Sequence, residues 1–141
     1  MSLAVLLNID VPDLGAGERF YTEAFGLRPG RRLGAHALEL VGWPSPLYLL
    51  EWPAGGFGAG SDPRRFHRHW TPLHLDVVVE DLDAAVARAL HAGAVLERPA
   101  EAAAYGRIAT LADAFGHGFC LIEFNAAGCD ALTPAEAAQP S

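Results

Sequence analysis

Two stretches of the chain read as copies of one another: VPDLGAGERFYTEAFG over residues 11–26 and VEDLDAAVARALHAG over residues 79–93. In each, an alternating apolar run ends in Val-x-Asp-Leu, the acidic residue opens a segment of helical period, and a glycine closes it. That is one strand feeding one helix, twice. A duplicated β-α unit limits the fold to two related modules and places their equivalent first strands beside a shared cleft. At 141 residues, 51% of them hydrophobic, the chain suits one domain built from two halves, neither large enough to bury a core alone.

The alternation also assigns faces. Over residues 4–11, Val5, Leu7, Ile9 and Val11 share one side and Leu6, Asn8 and Asp10 the other. Pro12 ends the strand, Asp13 is placed to cap the next helix, Phe20, Ala24 and Phe25 give that helix its buried stripe, and Gly26 stops it. Strands are expected over residues 27–33, 37–41 and 47–52, punctuated by Gly34, Gly42, Pro44 and Pro46.

Module one therefore spans residues 3–52, and the irregular Gly- and Arg-rich stretch 53–70 is its linker to module two, residues 71–124. The second half repeats the order: a strand over 72–79, a helix over 81–92, then strands near 95–97, 107–112 and 118–124. In the Ala- and Pro-rich tail, 125–141, Thr133, Pro134 and Glu136 form a capping-box start for one short helix. The fold expected is α+β: two paired β-α-β-β-β modules forming a cupped mixed sheet, the apolar strand faces on the helices and Leu6, Asn8, Asp10, His74 and Asp76 toward the cleft.

Seventeen acidic residues against ten basic ones, a net charge of −7, argue against nucleic acid or an anionic membrane as partner. A small molecule is the better expectation. Every basic residue is Arg, so imine chemistry through a protein lysine is excluded. Cys120 and Cys129 form neither a CxxC pair nor a disulfide framework and read as a buried thiol and a tail thiol. The start of the chain lacks a basic flank and a long apolar run, so a cytoplasmic protein is expected.

On these residues the chain resembles the vicinal oxygen chelate superfamily, which groups glyoxalase I, extradiol dioxygenases, fosfomycin-resistance enzymes and bleomycin-binding proteins. The resemblance covers residues 3–124 and rests on Val-Pro-Asp-Leu with Phe20-Tyr21 and Phe25-Gly26-Leu27. It rests also on Val-Glu-Asp-Leu with Ala92-Gly93-Ala94, and on Asp113-Ala114-Phe115-Gly116-His117 before the last strand, with Ala114 where the family carries Pro. It implies the glyoxalase/bleomycin resistance/dioxygenase fold and, in metal-dependent members, ligands from the first and last strands of each module; a homodimer is expected as well. Carried over, the first-strand slots are Leu6 and His74, and Leu6 cannot bind a metal.

The last-strand slot of module two is Cys120, with Glu51 as its counterpart in module one. A second register, LeuLeuGluTrp at 49–52 against LeuIleGluPhe at 121–124, makes Glu123 the partner of Glu51 instead. Residues 120 and 123 face opposite sides of a strand, so only one looks into the cleft, and the spacing from Gly116 favours Cys120. The metal candidates are thus His74 and Glu51, with Cys120 and Glu123 weaker. The resemblance admits one divalent ion, Zn, Ni, Mn or Fe, without firmly implying any. His36, His67, His69 and His117 are further imidazoles that loops could supply. The other reading of His74, and the one its setting favours, is a cleft histidine bonded to Asp76 or Glu51.

Glu51 and Asp76 are the candidate proton-moving carboxylates, and Asn8, Asp10, Trp52, Tyr105 and Arg107 the candidate substrate contacts. The cluster Arg64, Arg65, Phe66, His67, Arg68, His69, Trp70 reads as an attractor of anionic ligands, as a solvated linker, or as a dimer contact pairing with acidic surface. Two functions stay open. One is a protein that binds or sequesters a small organic molecule without a firmly bound metal; the other is a metal-assisted lyase, isomerase or dioxygenase-type enzyme chelating vicinal oxygens of a substrate.

Overall fold

The computed structural model describes residues 4–58 and 60–134. Module one runs β1 (Leu7–Val11), α1 (Leu14–Phe25), β2 (Arg28–Arg32), β3 (Ala37–Val41) and β4 (Leu47–Glu51). Module two runs β5 (Leu75–Val78), α2 (Leu82–Ala92), β6 (Val95–Ala103), β7 (Gly106–Ala112) and β8 (Gly118–Phe124), followed by a 3₁₀ turn at Gly128–Leu132. The two four-stranded mixed sheets have the same order, β1-β4-β3-β2 and β5-β8-β7-β6. In each, the first strand lies parallel to the last and forms an edge. The capping-box helix expected from Thr133 and Pro134 depends on Glu136, which lies outside the described residues.

The repeat predicts both helices because its two ends carry the capping chemistry. The Asp13 and Asp81 carboxylates accept the Ala16 and Ala84 amides at 2.8 and 3.1 Å. Gly26 and Gly93 close the helices with φ of 69° and 112°, backbone that only glycine adopts cheaply. The helices pack on one another, and Arg88 Nε donates to the Glu23 carbonyl at 2.7 Å across their contact. A single core results: Phe20 of α1 sets its ring edge-on to Tyr21 and Phe25 and, from module two, to Phe115 and Phe119.

Three strands differ most from expectation in their boundaries. β1 and β5 start at Leu7 and Leu75, leaving Leu6 and Leu73 exposed before them. β6 is nine residues long where three were expected; it is an exposed edge strand whose side chains show no alternating burial. Pro99 is tolerated there because the pairing with β7 slips between Arg98 and Glu101, so its missing N–H costs no ladder bond.

A second duplicated device ties each last strand to its helix. Glu51 Oε2 accepts the Leu14 amide at 2.8 Å, and Glu123 Oε2 accepts the Leu82 amide at 2.8 Å. Both carboxylates sit at helix N-termini, where unpaired N–H groups and the helix dipole favour negative charge. These backbone bonds are the main reason both carboxyls are held below the usual range. Glu51 thus corresponds to Glu123, and the counterpart of Cys120 is Tyr48, as the ladder pairs Asn8 with Tyr48 and Asp76 with Cys120.

On the face of sheet one turned away from the helices, Tyr48 donates to Glu39 at 3.1 Å, and Glu39 holds Arg31 through its amide and guanidinium at 2.8 to 3.1 Å. Hydrogen bonds from Arg31, side chain first, bring the Glu39 carboxyl down to about 2. An unfolded Glu protonates near about pH 4.3, so below that pH the unfolded chain binds the extra proton. The stability contributed by Glu39 is therefore complete above that pH and lost as pH falls through about 2. Urea midpoints measured from neutral to acid pH should show this fall, and Glu39→Gln should flatten it; an unchanged pH dependence in the variant would exclude Glu39 as its source.

Candidate functional site

Between the edge strands β1 and β5 lies a cavity of about 530 Å³, within the range of small-molecule sites. Its apolar wall comes from Leu7, Ile9, Phe25, Phe115 and Phe119, and the segment Arg64–His67 crosses its mouth. Polar groups reach it from Asn8 and Asp10 on β1, His74 before β5, and His117 before β8. Phe25 of α1 and Phe119 of β8, which pack with the core, thus also supply part of the aromatic wall.

The arginine cluster is neutralised within the chain. Arg64 Nε donates to Asp10 at 2.5 Å and its guanidinium lies 5.9 Å from the centre of the Trp52 ring. Arg68 forks onto both Glu97 oxygens at 2.5 and 2.7 Å, and Arg65 meets Asp62 at 3.5 Å. The segment is thus tied to acidic groups of its own chain rather than left as a solvated linker. Asp10 and Trp52 are accordingly brought together by Arg64, and Asn8 stands exposed at the cavity rim.

His74, Asp76 and Cys120 converge on the outward face of β5 and β8, their donor atoms all within 4.8 Å of one another. His74 Nε2 is 3.3 Å from an Asp76 oxygen, and the Trp70 ring lies against the imidazole at 4.9 Å between centres. Cys120 is buried beside Thr110 Oγ1 at 3.7 Å, and burial pushes its thiol upward. One nitrogen, one carboxylate and one sulfur with an exposed His and Asp is a donor set suited to zinc with an open position; a bound ion would hold Cys120 as the thiolate.

Glu51 is not part of this group. Strand parity puts it with Leu47 and Leu49 on the helix side, where it caps α1 and bonds His36 Nδ1 at 2.7 Å. Glu51 and Trp52 border a separate open depression of about 700 Å³ with His36 and Leu33. Glu123 likewise faces the helices, Cys120 lies on the opposite face of the sheet and outside the lining of the cavity, and the expected pairing of Glu51 with Cys120 is corrected. Tyr105 and Arg107 also lie away from the cavity: Arg107 spans Asp83 and Glu123 at 3.2 to 3.3 Å, and Tyr105 packs on Phe124.

A buried network not assembled from the sequence stands in the cavity wall. Asp113, 3% exposed, receives four hydrogen bonds. Tyr21 Oη donates to Oδ2 at 2.5 Å and His117 Nδ1 lies 2.7 Å from the same oxygen, while the Phe115 and His117 amides donate to Oδ1 at 2.8 and 2.9 Å. Burial first, then the nearby Asp113 charge, drives the Tyr21 hydroxyl well above its ordinary value, so it remains a donor. The available signal was the pair Asp113 and His117, four apart around Gly116, together with a Tyr beside the core residue Phe20.

The glyoxalase-like domain family matches residues 6–122. The chain belongs to that family. Its place in the vicinal oxygen chelate superfamily also agrees with solved structures similar to this glyoxalase-like protein. A glyoxalase/bleomycin resistance protein from Catenulispora Acidiphila DSM 44928 is 25% identical, with a TM-score of 0.60 over 88% of this chain and 100% of that one. TnmS3, an antibiotic binding protein from Streptomyces sp. CB03234, is 23% identical with a TM-score of 0.61 over 89% and 99%. The fosfomycin resistance protein FosX of Listeria monocytogenes is 16% identical with a TM-score of 0.68 over 89% and 96%. The latter two likenesses carry the fold alone. No curated protein matches the chain. No described helix is long and apolar enough to cross a membrane.

Proposed function

We propose that this glyoxalase-like protein binds a small, largely apolar organic molecule in the cavity between its modules, without needing a metal to do so. The carrying observation is the cavity itself: about 530 Å³, walled by aromatic and aliphatic side chains, with a few polar groups converging on it. Paired arginines leave little free positive charge at its mouth, which favours a neutral ligand over an anion. The test is calorimetric titration with 4-nitroanisole. One molecule should bind per chain, and Ile9→Trp, which fills the cavity, should abolish binding; binding undiminished in a folded Ile9→Trp variant would place the ligand elsewhere.

The convergence of His74, Asp76 and Cys120 supports a second reading, a metal-assisted enzyme of the lyase, isomerase or dioxygenase type. A divalent ion there would act as a Lewis acid on oxygens of a bound substrate. This chain's own part would be to hold the ion through those three side chains and to keep His74 oriented against Trp70. Elemental analysis of protein purified without chelator tests it. Stoichiometric zinc, lost in both His74→Ala and Cys120→Ser, is the expected result of this reading, and metal retained by both variants would remove it.

Exposed apolar residues at the two edge strands, Val5 and Leu6 before β1, Leu73 before β5 and Val78 at its end, support a homodimer. Sedimentation as a monomer over a wide concentration range would end that proposal. A cytoplasmic location remains part of the same reading.

A further inference from the structure

The network behind the cavity wall fixes what kind of atom the cavity can recognise. Asp113 carries no exposed oxygen: each accepts two hydrogen bonds, from the Tyr21 hydroxyl and His117 Nδ1 on one side and from two backbone amides on the other. An ionised carboxylate only accepts, so the proton between it and His117 sits on Nδ1. In the neutral ring that leaves Nε2 bare, and among the described residues Nε2 has no hydrogen-bond partner. His117 borders the cavity, about one third exposed, its ring edge-on to Phe66. The turn is rigid because Gly116 has a φ of 95° and packs under the Phe66 carbonyl.

From this geometry we infer that His117 Nε2 is the proton-accepting group of the cavity and that its ligand is a flat aromatic compound bearing an acidic hydroxyl. This rests on the cavity being the small-molecule site. Aromatic edges from Phe25, Phe115 and Phe119 accommodate a planar ring. The hydroxyl proton passes to Nε2, the O–H electron pair stays on the ligand as phenolate, and the imidazolium formed is stabilised by Asp113 in the manner of a carboxylate–histidine couple. The His74, Asp76 and Cys120 group takes no part in this step.

The experiment compares 4-nitrophenol with 4-nitroanisole, the same ring without the proton, on the full chain at one mildly acidic pH at which the free phenol keeps its proton. A hydrogen bond to a group that becomes charged should make the phenol bind about tenfold or more tightly than the ether, with the absorbance of the bound phenol that of the phenolate. His117→Asn, whose amide still donates to Asp113 but offers no Nε2, should bring the two affinities together. Equal affinities in the wild type, unchanged by His117→Asn, overturn the role of His117 and leave the cavity reading standing; binding of neither probe overturns the cavity reading itself. Long-range proton–nitrogen spectra of the wild type add a measurement independent of any variant. An Nδ1–H tautomer whose Nε2 resonance moves on adding 4-nitrophenol supports the inference, and an Nε2–H tautomer refutes it.

Discussion

Phe20→Ala should lower the unfolding free energy by about 3–5 kcal/mol, the range for truncating a fully buried aromatic side chain. The ring is 2% exposed and stands at the junction of the modules. Its centre lies 4.9 Å from that of Tyr21, 6.2 Å from those of Phe25 and Phe115, and 6.5 Å from that of Phe119. Two of these neighbours come from α1 and two from the region of β8, so one truncation opens a void in a core that both halves share. The alanine also leaves the edge-on aromatic pairs without a partner, beyond the area lost. Guanidinium denaturation followed by circular dichroism checks the value. Because neither module buries a core of its own, both should be lost in one transition; a loss under about 1 kcal/mol, or two separated transitions with the first module alone affected, would contradict the shared core.

Asp113→Ala should be comparably severe, about 3–5 kcal/mol, since it removes the acceptor of four donors inside the protein. The Tyr21 hydroxyl and the Phe115 and His117 amides would remain in the interior with nothing to bond, and each orphaned donor carries a desolvation cost. Tyr21→Phe removes one donor and leaves the carboxylate three others, so it should cost less, about 1–3 kcal/mol. Paired denaturation curves test the ordering. If Tyr21→Phe proves as damaging as Asp113→Ala, the carboxylate is not the hub of the network.

Much of the scaffold was legible because the repeat carries its own punctuation. An aspartate at each helix start and a glycine at each helix end fix α1 and α2, and alternation in the first strands fixes which face meets them. What the sequence left ambiguous was chemistry with two physical uses. A glutamate at the end of a strand can serve as a metal ligand or cap a helix, and only the three-dimensional register shows that Glu51 and Glu123 both do the second. β6 was underestimated because an exposed edge strand has no buried face to impose a period. The spacing from Gly116 puts Cys120 toward the cleft; it lies beside His74 and Asp76 on the sheet face opposite Glu123, outside the lining of the cavity. The Tyr21–Asp113–His117 network escaped because Tyr21 lies 92 residues before Asp113 in the chain and meets it only when the modules pack.

The central claim, a ligand seated between the modules, is tested most directly by mapping amide shifts of labelled protein as 4-nitroanisole is added. The account predicts perturbations in three separate segments at once: Leu7 to Asp10, Arg64 to His67, and Phe115 to Phe119, the walls of the one cavity. Saturable shifts confined to the depression around His36, Glu51 and Trp52, or no saturable shift in any of the three segments, would contradict it.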